Sequence, residues 1–230
     1  MIQAIFFDFN GVIIDDELLQ MKAYEEILRE HNIALTQALY FSALGMDDKT
    51  FVRAMFERAG KSLSEDVLGS VLQRKTDLHR KMIENELPLF PGVLKFLKAT
   101  ARHFSLGLVS MATDDEIGYV IDRAKIRNLF SVLVTANQVS VCKPAPDCYQ
   151  CGLETLNQKR RDDGLPALLP NQCLAIEDSP PGIQSARTAG MRTLGITNTV
   201  GEADLRSAGA DVVTKSLADW SVDAVMLVYS

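Results

Sequence analysis

IFFDFNGVIIDDE, the stretch from Ile5 to Glu17, carries the clearest structural signal in the chain. Its apolar start is typical of a buried strand, and the acid Asp8 and the amide Asn10 follow where that strand runs out into a loop. Residues two positions apart in an extended segment point to the same side, so both side chains can project into one site. In an open α/β sheet, ligands bind at this carboxyl end of the strands.

Four further apolar runs look like the first one, and a helical-looking segment follows each of them. They are FSLGLVS from Phe104, FSVLVTA from Phe130, CLAIE from Cys173 and MRTLGIT from Met191. This alternation predicts an α/β core with a Rossmann-like parallel sheet and helices on both faces. The stretch Lys159–Pro170, charged at one end and broken by Gly and Pro at the other, is predicted to be an exposed loop between a helix and a strand.

Some seventy residues between the first strand and the second show helical periodicity and no convincing strand. The clearest amphipathic pieces are LLQMKAYEEILREH and EDVLGSVLQRKTDLHRKMIE. We interpret residues 15–87 as an all-helical cap domain inserted over the strand ends. The α/β core domain then comprises residues 1–14 and 88–230.

The composition indicates a globular protein. Of 230 residues, 47% are hydrophobic, which is enough for a substantial core, and the formal net charge is -6. An acidic chain has no electrostatic footprint for nucleic acid, and no apolar run approaches the roughly 20 residues that span a bilayer. We therefore expect no nucleic-acid or membrane partner, and a monomer in the cytoplasm.

The cysteines and histidines give weak signals. One C-x-x-C falls inside a helical-looking segment, without the second pair or nearby histidine that a zinc site needs. Reduced thiols are the simpler interpretation, and the scattered histidines are expected to have structural or surface roles. The residues concerned are Cys142, Cys148, Cys151, Cys173, His31, His79 and His103.

Polar residues stand at the predicted carboxyl ends of four strands. Each has a structural alternative, such as a turn cap, a helix start or a solvated lysine. Together they supply a nucleophilic carboxylate, a hydroxyl donor, a cation and a second acidic pair. They are Asp8 with Asn10, Ser110, Lys143, and Glu177 with Asp178.

Oxygen ligands in this set indicate a magnesium site. The carboxylates of Asp8 and Asp178, with a backbone carbonyl, form an incomplete oxygen shell that suits Mg²⁺ and leaves room for water and a phosphate oxygen. A lysine and a hydroxyl beside the ion can orient the remaining phosphoryl oxygens. These residues predict metal-assisted phosphoryl transfer, and the absence of G-x-x-x-x-G-K-[ST] argues against a P-loop mechanism.

Four motifs in order resemble the haloacid dehalogenase superfamily, over nearly the whole chain. The family pattern D-x-D-G-V-[ILF]-x-D-[ST] reads DFNGVIIDDE here, a Ser ends the second strand, the lysine stands in KPAPD, and the fourth motif reads EDSPPGIQSARTAGM. LPLFPGV is similar to the helical-cap subgroup of beta-phosphoglucomutase, CbbY-like and phosphoglycolate phosphatase-like proteins. The resemblance implies a phosphatase with an inserted helical cap.

The resemblance also implies a role for each motif residue. Asp8 attacks phosphorus and becomes an aspartyl phosphate, and Mg²⁺ is bound by Asp8, the carbonyl of Asn10 and Asp178. Glu177 holds metal-bound water or contacts around the metal. Ser110 and Lys143 hold the transferring phosphoryl group.

Substrate choice is expected to lie with the cap. Lys75, in QRKTDLH, resembles a cap lysine that sugar-phosphate members direct at the substrate, although a solvated helix face is an equal alternative. In ALGMDDKTF, Asp48 and Lys49 can face the site. The more favoured alternative there is a helix start with Asp47 or Asp48 as its N-cap.

Asn10 departs from the pattern, because the second acid of D-x-D protonates the leaving oxygen and later activates water. An amide has no proton to transfer near neutral pH, so turnover is expected to suffer by about 10²- to 10⁴-fold while binding survives. Three explanations stay open: a substitution introduced into an active phosphatase, a natural low-turnover binding protein, or slow deamidation of Asn-Gly.

The sequence thus predicts a Mg²⁺-dependent phosphohydrolase for a small phosphorylated metabolite, either a sugar phosphate or a phosphoglycolate-like acid. A phosphomutase, which returns the phosphoryl group to the sugar, is the alternative within enzymes. A catalytically impaired protein that binds phosphorylated metabolites is the alternative outside them.

Overall fold

Six strands form one fully parallel sheet. The computed structural model describes residues 1–230. The strands are β1 (Ala4–Phe7), β2 (Ser105–Val109), β3 (Val132–Val134), β4 (Cys173–Glu177), β5 (Arg192–Ile196) and β6 (Val212–Thr214). Their order in the sheet is β3-β2-β1-β4-β5-β6, and every neighbouring pair is parallel. The predicted α/β, Rossmann-like class is confirmed.

Ten α-helices accompany the sheet. Four precede β2 in the stretch that was predicted to lack strands: α1 (Glu17–Glu30), α2 (Gln37–Phe41), α3 (Asp48–Arg58) and α4 (Glu65–Met82). The others are α5 (Val93–Thr100), α6 (Asp114–Arg123), α7 (Asp147–Asp162), α8 (Pro180–Thr188), α9 (Glu202–Ser207) and α10 (Val222–Val228). No helix combines the length and the apolarity that crossing a membrane would require.

The central strands are buried on both faces, as continuous apolar runs in a parallel sheet predict. Successive side chains of β1 enter different cores: Ile5 and Phe7 belong to a cluster of 26 buried residues, and Ala4 and Phe6 to a cluster of 16. Helices cover each cluster, which fixes the sheet in the middle of the core and leaves its strand ends for the site.

Helices α1 to α4, here called the four-helix segment, have a core of their own. Twelve buried residues form it, all between Tyr24 and Val71, with Phe51 and Phe56 among the largest. A separate apolar cluster supports the predicted cap. The domain bounds, 15–87 for the cap and 1–14 with 88–230 for the core, stay a prediction.

Three local predictions need correction. β6 was not anticipated, because its three residues are only half-buried at the sheet edge and give no apolar run. Helix α7 continues to Asp162, so the loop begins four residues later than Lys159; Lys and Arg are good helix formers and suit a helix C-terminus. The predicted strand in Phe130–Ala136 is limited to β3.

The strand order reverses direction at the centre of the sheet. The chain moves from β1 outward to β2 and β3, and then returns to place β4 on the other side of β1. At such a switch point, loops on the two sides diverge and leave a crevice at the carboxyl ends of the strands. Asp8 follows β1 and Asp178 follows β4, so both acids stand at this crevice.

Candidate active site

One open cavity joins the strand ends to the four-helix segment. Twenty residues line it around about 750 Å³ of space, its mouth included. Asp8, Asn10, Ser110, Lys143 and Asp178 line one side, here called the strand-end side. A second set of lining residues, here called the helical side, includes Glu17, Tyr24, Tyr40, Asp48, Lys75 and Glu116, all of which lie on helices.

The register of the strands brings residues of the strand-end side together. Phe7 pairs with Leu108 on β2 and with Ile176 on β4, so Asp8 is the first residue past the end of β1 between its neighbours. The Asp8 N–H donates to the Ile176 carbonyl (3.0 Å), and the Ser110 N–H donates to the Val134 carbonyl (2.9 Å). Backbone pairing therefore continues one residue beyond each strand and holds these side chains at the cavity.

Lys143 lies buried between two carboxylates. Its Nζ donates to Asp8 Oδ1 (2.9 Å) and Glu177 Oε1 (2.6 Å), and it lies 5.4 Å from the centre of the Tyr149 ring. The Tyr149 hydroxyl donates to the same Glu177 oxygen (2.6 Å). Burial alone would lower the pKa of Lys143, but Asp8 and Glu177 outweigh it and hold that pKa above its ordinary value. The ammonium is therefore charged and fixed beside Asp8.

Asp8, Glu177 and Asp178 form an acidic cluster whose ligand atoms lie within 4.8 Å of one another. Burial, followed by the charge of Asp8, raises the pKa of Glu177 to about 7. Burial and the charges of Asp8 and Glu177 raise the pKa of Asp178 well above its ordinary value. The only side-chain donor to Asp178 is the Thr199 hydroxyl. An all-oxygen cluster with uncompensated negative charge fits a hard divalent cation.

Two glycines set how closely the backbone approaches this cluster. Gly11 has φ +73°, and a Cβ there would lie 1.8 Å from Asp178 Oδ2. A Cβ on Gly182, in the first turn of α8, would lie 1.9 Å from Glu177 Oε2. Any larger residue would displace the buried carboxylates of Glu177 or Asp178.

Asn10 donates its amide to an acid that the sequence reasoning did not single out. Its Nδ2 lies 2.9 and 3.1 Å from the two carboxylate oxygens of Asp16, which is fully buried. Gln20 Nε2 also donates to Asp16 (3.1 Å). His79 Nε2 lies 2.9 Å from Asp16 Oδ2, at ion-pair distance but without hydrogen-bond geometry. The amide nitrogen is thus directed at Asp16.

Lys75 is the cation of the helical side, and it is only 2% exposed. Its Nζ donates to Asp48 Oδ2 (2.8 Å) on α3 and to Glu116 Oε1 (2.7 Å) on α6, and it lies 4.9 Å from the centre of the Tyr24 ring. Burial would raise the pKa of Glu116, but Lys75 outweighs it and lowers that pKa to about 2. Lys75 therefore lines the cavity as one member of a buried charge group.

The sequence and structure of known proteins identify the family. The family model described as haloacid dehalogenase-like hydrolase matches residues 5–196. This chain is a haloacid dehalogenase-like hydrolase. YhcW of Bacillus subtilis (strain 168) is 30% identical over 87% of this chain and 86% of its own.

Two further relatives show the extent of the likeness. The phosphorylated carbohydrates phosphatase of Thermotoga maritima is 26% identical, over 93% of this chain and 94% of its own. The crystal structure of a beta-phosphoglucomutase from Clostridium difficile superposes with a TM-score of 0.84 at 22% identity, over 100% of this chain and 97% of that one. The second likeness shows that the hydrolase shares that fold.

Lys49 of the hydrolase does not line the cavity. Helix α3 begins after Asp47, whose side chain caps it by accepting from the Thr50 N–H (2.7 Å). Neighbouring residues of a helix point about 100° apart, so Asp48 faces the cavity while Lys49 is exposed. The structure therefore does not bring Lys49 to the cavity, and its contact with substrate stays a prediction. Asp47 is the N-cap of α3, and Asp48 lines the cavity.

Several site residues of the hydrolase were missed from sequence. Asp16 had a visible signal, because it occupies the Ser or Thr position of the first family motif in the same stretch where Asn replaces Asp. Glu17 follows it and accepts from the Tyr40 hydroxyl (2.8 Å). Glu116 and Tyr149 gave no signal, because distant contacts bring Glu116 to Lys75 and Tyr149 to Glu177. The four cysteines are free.

Proposed function

We propose that this hydrolase cleaves a small phosphate monoester, with Asp8 as the nucleophile and Mg²⁺ as the cofactor. The observation that carries this proposal is the buried group at the strand ends, in which Asp8 lies beside a charged lysine and two further acids. A carboxylate beside a fixed cation can attack phosphorus while the cation holds the phosphoryl oxygens.

The residues of the strand-end side have distinct roles in this proposal. Asp8 attacks phosphorus, the bond from phosphorus to the leaving oxygen breaks, and the phosphoryl group is carried on Asp8 until water removes it. Lys143 and Ser110 hold the phosphoryl oxygens, and Lys143 also keeps Asp8 in place. Asp8, the backbone carbonyl of Asn10 and Asp178 would hold Mg²⁺, with Glu177 beside them. When bound, the ion would offset negative charge on the phosphate.

Asn10 limits this chemistry, because no proton is available at its position. Its amide nitrogen is engaged by Asp16, which leaves the carbonyl oxygen as the free polar atom of the side chain. An ionised aspartate at position 10 would place two carboxylates in contact, whereas a protonated one could donate to Asp16 in place of the amide. The explanations for Asn10 therefore stay open, and the comparison of variants below separates them.

The test is Mg²⁺-dependent phosphate release from a panel of sugar phosphates and phosphoglycolate. Four proteins are compared: the unchanged chain, Asn10→Asp, Asp16→Asn, and the exchange variant Asn10→Asp/Asp16→Asn. The exchange variant keeps an acid–amide hydrogen bond between the two positions but returns the acid to position 10. We expect it to be faster than the unchanged chain by about 10² or more, and Asn10→Asp alone to gain less.

Controls separate the remaining alternatives. Asp8→Asn in the exchange variant is expected to abolish release, because it removes the nucleophile. If an isomerised sugar phosphate accumulates instead of free phosphate, the phosphomutase alternative holds. If all four proteins are inactive on every compound yet bind phosphate esters, the alternative of a catalytically impaired binding protein holds. Monomeric state and cytoplasmic location stay predictions.

A further inference from the structure

The helical side of the cavity is acidic. Three carboxyl groups line it, from Glu17, Asp48 and Glu116, and Lys75 is its only cationic residue. The strand-end side, by contrast, has Lys143 and the acidic cluster that fits a divalent cation. A ligand that fills the cavity therefore meets carboxylate acceptors in addition to the strand-end cluster.

Lys75 has little capacity left for a ligand anion. Two of its three donors are used by Asp48 and Glu116, and the Tyr24 ring lies close to the ammonium. To bind a second phosphate, Lys75 would have to release one of these acids. The released carboxylate would then stand unpaired beside the phosphate in a buried place, which is unfavourable.

Glu17 adds to the acidic character of the helical side, because no cation is paired with it. It accepts from the Tyr40 hydroxyl (2.8 Å) and lines the cavity one residue after Asp16. Burial, followed by the charges of Asp16 and Asp8, raises its pKa to about 7. Whether charged or protonated, a carboxyl group here offers oxygen acceptors to hydroxyl or amino groups, and its charged form repels an anion.

Aromatic residues complete the helical side. Tyr24 and Phe51 have ring centres 4.5 Å apart, and both line the cavity. Such rings provide an apolar surface for the carbon skeleton of a sugar and attract cations through their faces. Acceptor oxygens next to aromatic faces suit a polyhydroxy or amino compound.

We propose that the substrate is a phosphate monoester whose remaining part carries hydroxyl or amino groups and no second acidic group. This inference rests on the proposed function and narrows it to monophosphates of sugars or amino sugars. Bisphosphates and carboxylated phosphate esters, including phosphoglycolate-like acids, are disfavoured because their second anion meets Glu17, Asp48 and Glu116.

The test is the affinity for four esters with closely related carbon skeletons, measured by isothermal titration with Mg²⁺. The probes are glucose 6-phosphate, glucosamine 6-phosphate, 6-phosphogluconate and glucose 1,6-bisphosphate, with inorganic phosphate as the reference. We expect the first two to bind at least tenfold more tightly than the last two. Equal or tighter binding of either doubly acidic ester would overturn the inference, while leaving the phosphohydrolase proposal intact.

A pair of variants locates the cause. Asp48→Asn keeps the side-chain shape and frees part of Lys75, so we expect it to reduce the discrimination against glucose 1,6-bisphosphate at least fivefold. Asp115→Asn is the matched control, because Asp115 is exposed and does not line the cavity. Unchanged discrimination in Asp48→Asn would refute the role of the helical side. If neither inorganic phosphate nor any ester binds, the proposed function fails, and the inference fails with it.

Discussion

Two buried lysines that line the cavity have nearly the same surroundings. Lys143 lies between Asp8 and Glu177 and close to Tyr149, and Lys75 lies between Asp48 and Glu116 and close to Tyr24. In each group the ammonium is within 2.9 Å of both acids. Only the first group has a third acid, Asp178, whose ligand oxygen lies within 4.8 Å of those of the other two acids.

The difference lies in what each group leaves available. Around Lys143, uncompensated negative charge and a strand-end aspartate leave room for a cation and a phosphate. Acids use most of the donors of both ammonium groups, and Lys143 also lies 3.4 Å from the Val109 carbonyl. The group around Lys75 differs because its three residues belong to three helices, α3, α4 and α6, and it has no third acid that would form a cation site. The same types of side chain can therefore support catalysis around Lys143, and hold helices together and select substrates around Lys75.

The largest expected effect concerns activity, and it separates the two lysines. Lys143→Met removes the cation beside Asp8, the proposed nucleophile, so we expect phosphate release to fall by about 10³-fold. Lys75→Met is the matched change on the helical side, and we expect its kcat to fall less than tenfold while its discrimination against doubly acidic esters increases, because Asp48 and Glu116 lose their cation. Steady-state kinetics with one sugar phosphate measure both. Equal losses of kcat would break the comparison.

The second prediction concerns stability, and it expects similar losses from the groups around Lys75 and Lys143. Removing either lysine leaves two buried carboxylates without their cation, so we expect Lys75→Met and Lys143→Met each to lower the free energy of unfolding by about 3–5 kcal/mol. Urea unfolding measures the loss. Combining Lys75→Met with Asp48→Asn and Glu116→Gln should recover at least half of it, because the uncompensated charges are gone. Lys49→Ala, an exposed neighbour, should stay within about 0.5 kcal/mol of the unchanged chain.

The smallest effect depends on pH and belongs to Glu17. Its folded pKa, about 7, is raised above the ordinary 4.5, chiefly by burial. The favourable contribution of protonated Glu17 to the free energy of unfolding is therefore complete below about pH 4.5, and it is lost as pH rises through 7. We expect Glu17→Gln to gain about 1–3 kcal/mol in unfolding free energy, relative to the unchanged chain, between pH 5 and pH 8. Urea unfolding of metal-free protein at both pH values checks this, and a constant difference would contradict it.

Much of the strand-end side could be predicted from sequence, because it depends on local order. Apolar runs mark the strands, and a parallel sheet necessarily collects the residues that follow them at one edge. Asp8, Ser110 and Asp178 directly follow their strands, whereas Lys143 comes nine residues after β3, and all four line the cavity. The family motifs add only the roles expected for them.

The helical side was harder to predict, because distant contacts decide it. Lys75 meets acids 27 and 41 residues away in sequence, and no periodicity encodes those pairings. A single lysine on a charged helix therefore looked equally suited to solvent or substrate. Asp16 is different, since its place in the first motif already departed from Ser or Thr and could have been linked to Asn10.

The close approach of Gly11 and Gly182 to the acidic cluster bears on how this chain can change over generations. Even alanine at either position would collide with a buried carboxylate of Glu177 or Asp178. Asp48 and Glu17 face open space in the cavity and have no such steric limit. Random substitution should therefore produce folded variants with an altered substrate range more readily than folded variants with changes around the acidic cluster.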